Sequence, residues 1–179
     1  TITAGYDAVN RRGDIGAGYK ISYNVTENDS AYVSSDFMVL DATGYDTLSF
    51  YIKGANGGEK PDIYFSDGIA RRYINVEDYA PVTTSWQKVE IPLEDFVRQG
   101  IDTGDLRSMQ IVFEWENMAG TIYLEDMQLY NNSLALISYI PKQTWLKNAH
   151  IDLNLSQYFT DPSGNDLTFI STEPENIIV

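Results

Sequence analysis

Residues 109–130 read MQIVFEWENMAGTIYLEDMQLY. Met109, Ile111 and Phe113 alternate with Gln110, Glu114 and Glu116 in the two-residue period of a strand with one apolar face and one wet face. Asn117 to Gly120 supplies turn residues, and Ile122 and Leu124 open a second strand of the same kind. After Leu124 the phase slips. Met127 and Leu129 rejoin the apolar face only if one extra residue is inserted at Glu125-Asp126. A β-bulge does this, and it places two carboxylates where one residue would otherwise sit. A hairpin of this kind is not stable alone in water and needs a second sheet over its apolar face.

The same alternation recurs upstream. Thr1–Ala8 reads as an edge strand, and Asn10–Gly18 as a glycine-rich, charged loop. Strands are then predicted at Gly18–Val25, Ala31–Leu40, Thr47–Lys53, Asp62–Ser66, Arg71–Val76 and Trp86–Leu93. In Thr47–Lys53 the residues Leu48, Phe50 and Ile52 face one way and Ser49, Tyr51 and Lys53 the other. Turn residues separate these runs at short, fairly even spacing, and no repeat at a fixed period is present. Leu93–Gln99 is the best helical candidate, and it is short. The expected fold is all-β, an antiparallel β-sandwich.

Composition agrees. Thirteen tyrosines and thirteen glycines favour pleated surfaces and tight turns. The absence of cysteine removes thiol catalysis, thiolate metal sites and a disulfide framework. A formal net charge of −14 argues against nucleic acid and anionic membrane as partners, and no apolar run reaches the length of a membrane helix, so no membrane insertion is expected. Acidity of this kind suits neutral ligands and divalent cations. Thr1 does not begin a signal peptide, and the numbering opens inside a strand-like segment, so an excised piece of a longer protein is expected.

Composition shifts after Tyr130. The expected organisation is one domain over 1–131, a linker over 132–140 and a further β segment over 141–179. Ile151, Leu153 and Leu155 alternate in that last segment, followed by Tyr158-Phe159, the turn Asp161–Asn165 and Leu167–Ile170. Three short strands cannot close a sandwich, so this segment either packs on the first domain or, the favoured expectation, is a truncated second domain.

The order TLSFYIKG, DIYFSDG, SWQKVEIPLEDF and GTIYLEDMQLY resembles the carbohydrate-binding-module-like jelly rolls of the galactose-binding superfamily. The resemblance covers roughly 1–131. The tail LNLSQYFTDPSGNDLTF is similar to the opening of a cadherin-like immunoglobulin-fold domain of bacterial surface and secreted proteins. A jelly roll divides its strands between two sheets in Greek-key order. One sheet would hold 31–40, 109–116, 62–66 and 71–76, and the resemblance implies that this is the face that meets glycan. Outward residues on it are Tyr32, Ser34, Asp36, Asp62, Tyr64, Arg71, Tyr73, Gln110, Glu114 and Glu116. Of these, Tyr32, Tyr64, Arg71, Tyr73, Gln110 and Glu114 are the expected sugar contacts. Aromatic rings stack on the C–H faces of a pyranose, while amide, carboxylate and guanidinium groups bond its hydroxyls. Tyr51 and Tyr123 point out of the other sheet, and Trp86 and Trp115 are expected to pack. The resemblance also implies a structural Ca²⁺ at Glu125 and Asp126, its other ligands in related modules coming from an N-terminal segment that the stretch from Thr1 is not expected to include.

The expected function is capture of a polysaccharide or oligosaccharide by a non-catalytic, extracellular module (secreted or held at the cell surface) for an attached catalytic domain. Two other readings compete. A structural or adhesive spacer is kept alive by the cadherin-like tail. A glycoside hydrolase would need two carboxylates held across a sugar, and the Glu-x-Asp-x-x-Glu strand of jelly-roll glucanases is absent. His150, the only histidine, has no nucleophile placed beside it by any motif. Nothing in the sequence names the glycan.

Overall fold

The computed structural model of the chain describes residues 1–13, 16–114, 118–131, 135–136, 138, 153–161 and 166–169. The chain divides into two units, Thr1–Tyr130 and Asn131–Val179.

Nine strands build the first unit: β1 (Ile2–Asp7), β2 (Gly18–Asn24), β3 (Ser30–Leu40), β4 (Thr47–Gly54), β5 (Pro61–Ser66), β6 (Arg71–Asn75), β7 (Gln87–Pro92), β8 (Leu106–Glu114) and β9 (Ala119–Tyr130). They form a five-stranded sheet in the order β1-β2-β9-β4-β7 and a four-stranded sheet in the order β3-β8-β5-β6, with antiparallel pairing throughout. Apart from the β1–β2 and β5–β6 hairpins, each strand is followed by one in the other sheet, as Greek-key connections require. The four-stranded sheet is the one expected to carry the outward tyrosines. The helical candidate condenses to a single turn, α1 (Glu94–Val97), which drops Phe96 into the core.

The inward phase of both sheets supplies that core. Ile21, Phe50, Ile52, Ile63, Val89, Ile91, Phe113 and Ile122 are all buried in one cluster. Phe113 stacks on Tyr23 across the sheets at 3.8 Å between ring centroids. Burying apolar area at roughly 25 cal/mol per Å² makes this layer the main source of stability.

The bulge falls where the phase slip placed it. Ser49 pairs with Gln128, but Tyr51 pairs with Glu125, so β9 carries an extra residue there. Asp126 takes φ +53°, a left-handed conformation that short acidic side chains tolerate. Two boundaries differ from expectation. β8 begins at Leu106, three residues before Met109, and β9 begins at Ala119, so the expected turn residue Gly120 lies inside the strand. Gly120 pairs with Tyr23, and a Cβ there would lie 2.6 Å from the Tyr23 hydroxyl oxygen. Glycine serves close packing at this position rather than a turn.

In the second unit, β10 (Ala135–Leu136) pairs with β11 (Phe159–Thr160), and Phe159 lies 6.0 Å from Phe169 between ring centroids. Ala135–Leu136 falls within the stretch expected to be linker. Among the described residues this unit shows one two-stranded ladder and no immunoglobulin-like pair of sheets. Most of the cadherin-like expectation over 141–179, with His150 and the turn residues 162–165, lies outside the described residues. So do Trp115 and Glu116.

Candidate functional site

Strand pairing arranges the outward residues of β3-β8-β5-β6 in rows. One row runs Tyr32, Val112, Asp62, Asn75; the next runs Ser34, Gln110, Tyr64, Tyr73; the third runs Asp36, Ser108, Ser66, Arg71. Neighbouring strands lie about 4.8 Å apart, so the face from β3 to β6 spans roughly 15 Å. Tyr32 at one end is 53% exposed and Tyr73 at the other is 50% exposed. Between them Val112 is only 3% exposed although its phase is outward. It belongs to the floor of this face and not to the inter-sheet core cluster.

The middle of the face is a fixed polar network. Tyr64 stacks on Tyr73 with centroids 5.1 Å apart, and the Arg71 guanidinium lies 4.3 Å from the Tyr64 centroid. Arg71 Nη2 donates to Gln110 Oε1 at 2.6 Å, and the Tyr64 hydroxyl donates to Glu114 Oε1 at 3.1 Å. Partial burial, with the Glu114 carboxylate beside it, pushes the Tyr64 phenol up to about 12. It stays a protonated donor at neutral pH. Five of the six expected contacts therefore touch one another, and Tyr32 stands apart from them. The aromatic surface left for a ligand is that of Tyr32 and Tyr73, because Tyr64 is already packed by two neighbours.

Beside Tyr73 the face continues into a cleft of about 150 Å³ lined by Lys60, Asp62, Asn75, Glu77 and Glu114. Sequence alternation found Asp62 and Glu114 but missed Lys60, Asn75 and Glu77. Lys60 precedes β5, and Glu77 follows β6 in a short helical turn, so no strand period predicts them. A larger cavity of about 590 Å³ has a different position, with Val33, Met109, Ile111 and Leu124 among its walls. These residues carry the inward phase, so it opens from the space between the sheets and not from the tyrosine face.

The outward aromatics of the five-stranded sheet are covered by cations. Arg12 lies 3.5 Å from the Tyr51 centroid, and Lys53 lies 5.1 Å from that of Tyr123 and 5.4 Å from that of Trp86. Tyr123 is buried despite its outward phase, and Trp86 is half-buried.

At the bulge, Glu125 Oε1 accepts the Arg12 backbone N–H at 2.9 Å, and Asp126 forms an ion pair with the Arg12 guanidinium. Calcium takes six to eight oxygens. No group of three or more His, Cys, Asp or Glu suited to a metal occurs among the described residues. One of these carboxylates already accepts a backbone N–H and the other pairs with a guanidinium, so the two do not by themselves fit that ion.

Comparison with known proteins places this geometry. Residues 9–131 match the family model of carbohydrate binding domain 30. A family 30 carbohydrate-binding module of a cellulosomal cellulase of Clostridium thermocellum superposes with a TM-score of 0.63 at 21% identity, covering 72% of this chain and 82% of that one. A family 11 module of the same organism, in complex with a β-1,3-1,4-mixed-linked tetrasaccharide, gives 0.57 at 16% identity, covering 73% and 83%. A β-1,2-glucanase of Parabacteroides distasonis gives 0.54 at 20% identity, covering 74% of this chain and 23% of that one. No curated protein matches the chain. The likenesses establish the sandwich fold, and the family match extends over more than half of the chain. The chain belongs to the carbohydrate binding domain 30 family, and it carries a non-catalytic carbohydrate-binding module.

Proposed function

We propose that the module captures a neutral polysaccharide chain across the outward face of β3-β8-β5-β6, with Tyr32 and Tyr73 as stacking surfaces. The observation that carries this reading is the pair of half-exposed tyrosines at opposite ends of a face whose centre is already organised. Arg71, Gln110, Tyr64 and Glu114 hold one another in place before any ligand arrives, which lowers the ordering cost of binding. Individual sugar contacts are weak, and capture gains from several acting together. Attachment to a catalytic domain would raise the local concentration of substrate at that domain. The C. thermocellum relatives are modules of cellulosomal cellulases, which supports an extracellular setting and an enzyme partner. The tetrasaccharide in the family 11 complex supports a β-glucan as the first ligand to try.

Affinity electrophoresis of the whole chain through gels containing a linear β-glucan tests this. Tyr73→Ala and Tyr32→Ala should each speed migration, and the double variant should run as in an empty gel. Tyr51→Phe, on the other sheet, should be retained like the parent. Full retention of the double variant would move the site elsewhere. Calcium at Glu125 and Asp126 is a question apart from sugar capture, and thermal stability with calcium or EDTA tests it.

A further inference from the structure

The cleft beside Tyr73 has a character different from the flat face it adjoins. Its volume of about 150 Å³ is that of roughly five waters, which suits one sugar ring and not a run of them. Its lining offers both hydrogen-bond senses: the Lys60 ammonium and the Asn75 amide donate, and Asp62, Glu77 and Glu114 accept. Lys60 Nζ bonds Glu77 Oε1 at 3.1 Å, and Glu114 Oε1 receives the Tyr64 hydroxyl, so three of these groups are held in position. Tyr73 provides an aromatic wall shared with the face. The strand order adds a directional argument. β6 is the last strand of its sheet, so a chain crossing from β3 has no further strand to lie on once it passes Tyr73. The cleft adjoins that edge at the strand ends, where β5 begins and β6 and β8 finish, so a chain end or a side ring can turn into it.

We propose that this cleft is a distinct subsite for a single neutral pyranose, supplied either by the terminus of a captured chain or by a one-sugar branch. The inference rests on the reading of the tyrosine face as the glycan platform. Three carboxylates against one ammonium leave the cleft negative, so it disfavours a uronic acid and accepts a ring carrying only hydroxyls.

Calorimetric titration of the whole chain with three ligands tests it: a linear β-glucan polymer, a linear β-glucan tetrasaccharide, and a branched β-glucan heptasaccharide with single-ring side chains. Asn75→Ala and Lys60→Ala each remove one donor from the cleft and should weaken the ligand that fills it about fivefold. Affinity for the polymer, counted per binding site, should stay within about twofold, the size of a contact the ligand does not use. A loss shared by the tetrasaccharide and the heptasaccharide, which both carry chain ends, assigns the cleft to termini, and a loss confined to the heptasaccharide assigns it to branches. Equal losses on all three ligands, or none on any, overturn the subsite. Tyr73→Ala separates this from the platform reading: if that variant binds the polymer as the parent does, the face itself has been misassigned.

Discussion

Asp67 ties the β5–β6 hairpin to the rest of the module, and its removal should be felt as a pH-dependent loss of stability. The side chain is 7% exposed, at the turn between β5 and β6. Oδ1 accepts the N–H groups of Ile69 at 2.9 Å and Ala70 at 2.6 Å, and Oδ2 accepts that of Asp102 at 2.9 Å. Three backbone donors thus converge on one carboxylate, two from the turn that leads into Arg71 and Tyr73. Asp67→Asn keeps the shape but supplies only one accepting atom. With its oxygen toward Ile69 and Ala70, its amide NH₂ faces the Asp102 N–H, donor against donor. One charge-assisted bond is lost and two become neutral, a cost of roughly 2–3 kcal/mol. For a unit of this size that lowers Tm by roughly 6–12 °C. The pH dependence has a definite sign. The backbone donors from Asp102, Ala70 and Ile69 lower the Asp67 carboxyl below its ordinary value. A depressed folded-state value stabilises the protein above the unfolded value near 4, and this contribution is lost as pH falls through the folded value. Thermal unfolding followed by circular dichroism at pH 7, 5, 4 and 3 should show a gap between parent and Asp67→Asn that narrows below about pH 4. A gap of the same size at pH 7 and pH 3, or one below about 2 °C at pH 7, would refute the reasoning.

Arg71→Lys should weaken β-glucan retention several-fold while moving Tm by less than about 3 °C, because an ammonium cannot both stack flat on Tyr64 and fork toward Gln110; gel retention beside a melting curve checks both halves. Gly120→Ala places a Cβ 2.6 Å from the Tyr23 oxygen and 2.9 Å from Glu59 Cγ, so a loss of roughly 2–3 kcal/mol is expected in urea unfolding. Arg12→Ala removes the guanidinium shared by Asp126 and Tyr51; a small drop in stability in the same assay, shrinking in high salt, is expected. For the parent, millimolar calcium or EDTA should leave Tm unchanged because Arg12 supplies the cation at the bulge; a calcium-dependent rise would show that the ion displaces it.

The two-residue period exposed most of the sandwich because half-buried strands must alternate, and the slip at Glu125-Asp126 was legible for the same reason. Alternation assigns a phase, however, and phase is not exposure. Val112 and Tyr123 have outward phase and are buried, one in the floor between outward neighbours and the other beneath Lys53. Phase was also silent about Arg12, whose partners lie 113 and 114 residues away in the chain. The cleft residues Lys60, Asn75 and Glu77 became neighbours of Glu114 only through the β5-β6-β8 pairing. The sequence likewise marked Tyr64 as a stacking surface without signalling that Arg71 and Tyr73 already pack on it.

The two sheets carry comparable numbers of outward aromatic rings, so ring count does not say which face takes sugar. What separates them is the disposition of cations. On the five-stranded sheet Arg12, Lys53 and Lys88 lie over Tyr51, Tyr123, Trp86 and Tyr130, and a sugar would have to displace charged groups to reach those rings. On the four-stranded sheet the one stacked cation, Arg71, covers the central Tyr64, while Tyr32 and Tyr73 keep about half their surface in water. Arg71 also bonds Gln110, so it braces the centre of the face and leaves its ends open. Lys53→Ala should uncover Tyr123 and Trp86 without creating measurable β-glucan retention, because Arg12 and Lys88 still cover Tyr51 and Tyr130 on that face. Retention by Lys53→Ala in the background of Tyr32→Ala and Tyr73→Ala would show that exposed rings alone suffice, and that the polar centre contributes nothing to capture.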